Sequence, residues 1–151
     1  MALNIRFLVV LAVAIPALVQ AAQPFAYRMV QTPEEGPLDP KVEGRYTAAF
    51  AACQKSAQTT SDNADCFVAE FVRQDAALNR TWQAVFPRIP AQQRPLLRAA
   101  QRRWLAARDP FCRKESDGFS GGTIAPVIYV SCRTEQTIRR TLWLEKLGSA
   151  R

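Results

Sequence analysis

The sequence predicts an all-α protein, a compact antiparallel bundle of about four helices with two disulfides. Three observations support this class. Apolar residues recur at spacings of three and four over several long stretches, as they do on one face of a helix. Polar, proline-rich or glycine-rich segments separate these stretches, and short connections of this kind are typical of antiparallel bundles. The chain also carries 4 cysteines, spaced so that two pairs each flank a loop.

The first segment, residues 1–21, has the composition of a secretory signal peptide. One basic residue, Arg6, precedes an apolar run from Phe7 to Val19, and small residues follow. A membrane span needs about 20 apolar residues, so this run is too short. No cysteine lies near the expected cleavage site, and we therefore expect no stable membrane anchor. The predicted location is the periplasm or the extracellular space.

Residues 22–44 are predicted to form a proline-rich extended arm, because four prolines interrupt them and they show little periodicity. Residues 45–148 are predicted to form one helical domain with one core. Its first helix is expected from about Val42 or Tyr46 to Cys53. The second is expected from about Asp65 to Phe86, after several polar residues that could cap it.

The third helix is expected to follow Pro95 and to end near Arg108, because Pro110 cannot donate a backbone hydrogen bond. Cys112 would then lie just beyond its end. The fourth helix is expected from near Pro126 to Leu147, with Gly148 as its stop. Its predicted inward-facing residues are Ile128, Cys132, Ile138, Leu142 and Trp143.

Helices two and three carry polar residues beside their apolar stripes, and a buried polar group without a partner costs about 1 to 3 kcal/mol. We therefore expect Asp75 to accept hydrogen bonds from Arg108. We expect Asn79 or Glu70 to meet Gln101. Together these five residues form a predicted structural polar network. Loss of Arg108 would leave Asp75 uncompensated, at a cost of about 3 to 5 kcal/mol.

The cysteines Cys53, Cys66, Cys112 and Cys132 all follow the signal peptide, so an oxidising compartment predicts two disulfides. Three connectivities are possible. Sequential pairing, Cys53 with Cys66 and Cys112 with Cys132, is favoured because each pair flanks a polar or glycine-rich loop. Each short loop would contribute about 3 kcal/mol. The alternative, a four-cysteine zinc site, is disfavoured because the chain has no CxxC pair and no histidine.

The chain is basic, with a formal net charge of +7. Removal of the signal peptide takes away Arg6 and leaves +6. Such a charge suits nucleic acid, anionic lipid or acidic glycan, or simply a solvated arginine-rich surface, which the scattered basic residues favour. Nucleic acid is not expected, because only the net charge supports it. The candidate partner-binding loop and face comprise Arg102, Arg103, Arg113, Lys114, Gly118, Phe119, Gly121 and Gly122.

Catalysis is not expected. The chain has no histidine to act as a general base, and its cysteines are expected to be oxidised. Glu70 with Asp75, or Glu115 with Asp117, could serve as paired carboxylates. Structural or solvated roles for these four are favoured. No cofactor and no metal are expected.

The spacing of these residues as a whole resembles that of the secreted family typified by the lysozyme inhibitor LprI. The resemblance covers roughly residues 46 to 147. The matching residues are Cys53, Cys66, Glu70, Asp75, Leu78, Asn79, Gln101, Trp104, Arg108, Asp109, Cys112, Cys132, Thr137 and Arg139 or Arg140, with Trp82 where the family usually has tyrosine. The resemblance implies a helical, disulfide-bonded extracytoplasmic domain.

The resemblance also suggests lysozyme, or another envelope protein, as the partner. In that case the loop from Arg113 to Gly122 would enter the carboxylate-bearing cleft of the enzyme and supply complementary charge. The alternative hypothesis is an accessory envelope protein that binds an anionic glycan, peptidoglycan or lipopolysaccharide, and inhibits no enzyme.

Overall fold

The computed structural model describes residues 40–149, which lie almost entirely in helices. The helices are α1 (Pro40–Glu43), α2 (Ala48–Ser56), α3 (Thr60–Val85), α4 (Arg94–Asp117) and α5 (Ala125–Ser149), with short 3-10 turns at Phe86–Arg88 and Ala91–Gln93 between α3 and α4. The predicted fold class, all-α with two disulfides, is confirmed. The predicted signal peptide and residues 22–39 of the predicted arm lie outside the described residues.

The three long helices form the body of the bundle, and α5 packs against both α3 and α4. Helix α4 runs antiparallel to α5, since Cys112 is bonded to Cys132 and Gln101 contacts Arg140. Helix α5 runs parallel to α3. Near their ends the backbone at Gly148 lies so close to the Val85 side chain that a Cβ atom on Gly148 would be 2.8 Å from Val85 Cγ2. Gly148 therefore lies within α5, where it permits this close packing, and does not end the helix as predicted.

The first two helices pack against the body of the bundle. Thr47 caps α2 by accepting a hydrogen bond from the Phe50 N–H. Helix α1 includes residues that the sequence assigned to the end of the extended arm, and it packs on α5 with Val42 buried. Just after α1, Arg45 Nη1 donates to Glu145 Oε1 at 2.9 Å. These contacts attach the start of the described chain to α3 and α5.

Helix α3 starts five residues earlier than predicted. Thr59 and Asp62 form a capping box, in which each side chain accepts from the backbone N–H of the other. This reciprocal pair satisfies backbone donors that an uncapped first turn would leave without partners. The candidates that the sequence offers for this cap run from Ser61 to Asp65, so they include Asp62 but not the N-cap residue Thr59.

The prediction that α4 ends near Arg108 is wrong, because the helix continues through Pro110 to Asp117. A proline inside a helix removes one hydrogen bond and costs about 3 kcal/mol. The residues beyond it compensate, since Cys112 is completely buried in a disulfide and Ser116 is also buried. Ala106, whose carbonyl loses its partner at Pro110, is exposed, so water can solvate that carbonyl.

Buried apolar residues are concentrated where α3 ends and α4 begins, which we call the apolar end. They are Leu78, Val85, Ile89, Leu97, Ala100, Trp104 and Leu144. At the opposite end, the disulfide end, α4 gives way to α5. There α5 buries Val127, Val130, Thr134 and Thr137. Of the predicted inward-facing residues of this helix, Ile138 is fully buried, whereas Ile128, Cys132, Leu142 and Trp143 are partly exposed.

Candidate functional site

The carboxylate of Glu70 is the centre of a first polar cluster. The side chain is completely buried on α3. It accepts hydrogen bonds from the Thr47 N–H at 3.0 Å, the Thr47 hydroxyl at 2.6 Å, Gln74 Nε2 at 2.7 Å and Arg73 Nη1 at 3.1 Å. Burial alone would raise the pKa of this carboxyl, but these hydrogen bonds outweigh it and hold the pKa below its usual value. Glu70 thus ties the start of α2 to α3.

Arg108 is the centre of a second cluster, which joins the three long helices. Its Nη1 lies 3.6 Å from Asp75 Oδ1 and donates to Thr137 Oγ1 at 3.3 Å. Its Nε donates to Asp109 Oδ1 at 2.9 Å. Asn79 in turn donates to Asp75 at 3.2 Å. The expected partnership of Arg108 with Asp75 is present as an ion pair, too long for a hydrogen bond.

The prediction that Gln101 meets Asn79 or Glu70 is wrong. Gln101 Oε1 accepts from Arg140 Nε at 2.9 Å, whereas the side chains of Asn79 and Glu70 form their hydrogen bonds with other residues. Arg140 is completely buried, and its guanidinium lies 3.9 Å from the centre of the Trp143 ring. Its Nη1 and Nη2 have no hydrogen-bond partner in the described part of the protein. Burial lowers the pKa of Arg140 to about 10.

The five predicted network residues therefore fall into separate groups, around Glu70, around Arg108 and at Gln101. Glu70 faces α2, whereas Asp75 faces α4, so the two carboxylates have different partners. Within residues 40–149, no group of three or more histidine, cysteine or acidic side chains could hold a metal ion. None of the helices within residues 40–149 combines the length and the hydrophobicity of a membrane-spanning segment.

The connection between α4 and α5 carries most of the predicted partner-binding residues, and we call residues 113–124 the hairpin tip. The disulfide between Cys112 and Cys132 lies at its base. Residues 113–117 form the last helical turn of α4, where the sequence predicted a loop from 113 to 122. The turn beyond them includes Gly121 at a φ of 83°, a conformation that favours glycine. Ser116, which is buried, therefore belongs to the helix and not to the turn.

The hairpin tip exposes apolar surface. Phe119 is 49% exposed and Ile124 is 41% exposed. Both residues belong to the turn above the disulfide between Cys112 and Cys132. The neighbouring Gly118 and Gly122 have no side chain to cover them. An exposed aromatic ring on a constrained turn is the kind of group that anchors protein interfaces.

The charge of the hairpin tip differs from the prediction. Arg113 and Lys114 are exposed, and the Arg113 guanidinium lies 5.4 Å from the Tyr129 ring. Glu115 and Asp117 lie in the same helical turn, so two basic and two acidic residues give a formal net charge of zero. The tip is apolar and neutral overall, in contrast to the basic loop predicted.

Arg102 and Arg103, the other predicted partner-binding residues, are not part of the hairpin tip. They are exposed on α4. Arg103 precedes Arg113 by ten residues, which corresponds to about 15 Å along a helix. The predicted binding residues therefore form two surfaces, one at the tip and one on the outer face of α4. The sequence alone would show the separation of these two surfaces if the third helix were predicted to continue past Pro110.

Comparison with known proteins gives a consistent result. A protein of Rhizobium meliloti (strain 1021), described as uncharacterised, is 28% identical over an alignment of 108 positions that covers 63% of this chain and 77% of that protein. No solved structure matches the chain. The family model described as "Lysozyme inhibitor LprI" matches residues 51–144. This range includes both disulfides, the whole hairpin tip and the polar residues Glu70, Arg108 and Gln101, and the chain belongs to the LprI lysozyme inhibitor family.

Proposed function

We propose that this protein is an extracytoplasmic inhibitor that binds a lysozyme through its hairpin tip. Family membership supports a lysozyme-inhibitor-like role. The observation that supports this surface is Phe119, a half-exposed aromatic ring on a turn above a disulfide. The two disulfides and the signal-peptide composition of residues 1–21 support a location outside the cytoplasm.

A tip constrained by a disulfide favours affinity, because the turn would lose little conformational entropy on binding. Preorganised loops lose less conformational freedom on association than flexible ones do. Phe119 would supply the apolar anchor, and Ile124 would extend the apolar contact. The flanking glycines would allow the backbone to approach the walls of an enzyme cleft.

The charges of the tip also suit this partner. Arg113 and Lys114 could face the carboxylates of a muramidase cleft, which gives local complementarity. Common animal lysozymes are strongly basic, so a uniformly basic binding surface would be repelled at long range. Because Glu115 and Asp117 balance the basic pair, the tip itself adds no local repulsion toward such an enzyme.

The test is the muramidase activity of a c-type lysozyme titrated with the oxidised mature protein at near-physiological salt. We expect stoichiometric loss of activity. Phe119→Ala should weaken inhibition about tenfold or more, since truncation of a central aromatic anchor costs roughly 2 kcal/mol. The matched control is Val72→Ala, which removes an apolar side chain that is 62% exposed on α3. This control should inhibit as the unmodified protein does.

Two results would contradict the proposal in different ways. No inhibition at large excess of the unmodified protein would remove lysozyme as the target. Inhibition that survives Phe119→Ala unchanged would keep the target but exclude the hairpin tip as the binding surface.

A further inference from the structure

The arginines of this chain are concentrated in one continuous segment. Residues 76–108 contain no aspartate or glutamate, and their arginines are Arg80, Arg88, Arg94, Arg98, Arg102, Arg103 and Arg108. This segment includes the end of α3, the connection and the first part of α4. The excess positive charge of the protein therefore lies away from the neutral hairpin tip.

Two of these arginines have structural partners. Arg94 donates to the carbonyls of Ile89 and Pro87 and so closes the connection, and Arg108 belongs to the buried cluster described above. Four others are exposed and form no ion pair with any residue in the 40–149 range. These are Arg88, Arg98, Arg102 and Arg103, and we call them the arginine face.

The arginine face combines charge with exposed apolar groups. Arg98 and Arg102 are one helical turn apart, and the Arg98 guanidinium lies 4.7 Å from the centre of the Phe86 ring. Leu96 is 50% exposed and, at a spacing of seven residues, shares a stripe of α4 with Arg103. A half-exposed leucine that shares a helix stripe with a cation is typical of surfaces that rest on a lipid headgroup layer with an apolar side chain at its boundary.

We propose that the arginine face binds an anionic lipid surface through the phosphates of its headgroups. A guanidinium presents several donors in a planar fork that matches phosphate oxygens, and these four have no acidic side chain to compete for them. The exposed Leu96 favours a lipid surface over a soluble polyanion, since a soluble polymer offers no apolar layer. The interaction is peripheral and goes beyond lysozyme binding.

The two surfaces are compatible with each other. Nineteen residues of α4 separate Arg98 from Asp117, which corresponds to about 28 Å along a helix. A protein bound to a membrane surface by its arginine face would therefore leave the hairpin tip free for a protein partner. The positive charge that would repel a basic enzyme would be neutralised by the lipid.

The test is co-sedimentation of the full mature protein with vesicles of phosphatidylcholine and phosphatidylglycerol, compared with phosphatidylcholine alone. We expect binding only to the anionic vesicles, with steep loss as salt is added. Each basic residue near such a surface contributes about fivefold in affinity. The double variant Arg102→Gln with Arg103→Gln should therefore bind on the order of thirtyfold more weakly. Glutamine keeps the helix propensity, and circular dichroism checks the fold.

The matched control is Lys55→Gln with Arg80→Gln. Both residues are exposed, and the charge change is the same. Lys55 lies on α2. Arg80 lies on α3 and points about 140° away from Asp75, which faces α4. Neither residue therefore belongs to the arginine face. The control should bind anionic vesicles within about twofold of the unmodified protein. The Arg102 and Arg103 double variant should inhibit lysozyme as well as the unmodified protein does.

Several outcomes would overturn the proposal. An equal loss of vesicle binding in both double variants would mean that net charge alone attracts the protein. Equal binding to neutral vesicles, or release by soluble polyphosphate at matched phosphate concentration, would exclude an anionic lipid surface as the ligand. Vesicle binding and lysozyme inhibition are separate readouts, so failure of one is distinguishable from failure of the other.

Discussion

The two ends of the bundle are stabilised by different interactions. At the apolar end, Leu97 and Leu144 are completely buried, and Trp104 is almost so. At the disulfide end, α5 buries the hydroxyls of Thr134 and Thr137, which donate to carbonyls one turn earlier in the same helix. Both disulfides belong to that second end.

The contrast shows how a small domain can hold a polar interior together. Burial of large apolar side chains contributes about 1.5 to 3 kcal/mol each, and threonine offers much less apolar area than leucine. A disulfide over a short loop contributes about 3 kcal/mol, largely by restricting the unfolded chain. The covalent bonds therefore supply at the disulfide end what apolar packing supplies at the other.

The largest expected effect is at the apolar end. Trp104→Ala should lower the free energy of unfolding by about 3 to 5 kcal/mol, because the ring fills the core and faces two buried guanidinium groups. Urea unfolding under oxidising conditions measures this. A loss below about 1 kcal/mol would mean that apolar burial does not dominate at this end.

The next effect is at the disulfide end. Replacing Cys112 and Cys132 by alanine opens a loop of 20 residues and should cost about 3 kcal/mol. Replacing Cys53 and Cys66, whose separation is 13, should cost nearly as much. Only the first pair lies below the hairpin tip, so only that variant should also lose lysozyme inhibition at a temperature where both are folded. Equal inhibition by the two variants would show that the tip needs no disulfide beneath it.

A smaller effect with a distinct pH dependence is expected at Glu70. Glu70→Gln should cost about 1 to 3 kcal/mol near neutral pH, because three partners lose a charged acceptor. The pKa of this carboxyl is lowered in the folded state, so its contribution is complete above the ordinary carboxyl pKa and is lost as the pH falls through the lowered value. The Tm of the unmodified protein should therefore fall more steeply in acid than that of the variant. Parallel curves of Tm against pH would refute this role.

The smallest effect is expected at Asp75. Its side chain is 40% exposed, and its distance to Arg108 is too long for a hydrogen bond. Asp75→Asn should change the free energy of unfolding by about 0.2 to 1 kcal/mol, as for an exposed ion pair. The same urea titration, repeated in high salt, checks this, because screening should remove the difference. A salt-independent loss of several kcal/mol would instead indicate a buried pair.

Much of the framework could be predicted from the sequence. Helical periodicity indicates which stretches are helices, and loop length indicates which cysteines can meet. Both disulfides accordingly pair as expected. The end of α4 could not be predicted from Pro110 alone, because the local cost of a proline competes with burial of Cys112 and Ser116 beyond it. That burial depends on α5, a tertiary contact that local rules do not include.

The candidate site was less predictable for a related reason. Periodicity assigns a residue to a face of its helix but does not specify which helix lies opposite. The expected partners of Gln101 lie on α3, whereas its hydrogen-bond partner is Arg140 on α5. Arg113 and Lys114 alone predict a basic hairpin tip, but Glu115 and Asp117 in the same turn make its net charge zero.

The parallel arrangement of α3 and α5 has a consequence for the order of folding. Phe71 contacts Arg133 across this pair, a separation of about 60 residues, whereas each disulfide joins helices that are consecutive in the chain. Contacts between distant residues form late because closing a long loop costs entropy. Each helical hairpin can therefore be oxidised correctly while its cysteines are still its nearest thiols. The long-range docking of α5 on α3 then joins two units that are already cross-linked.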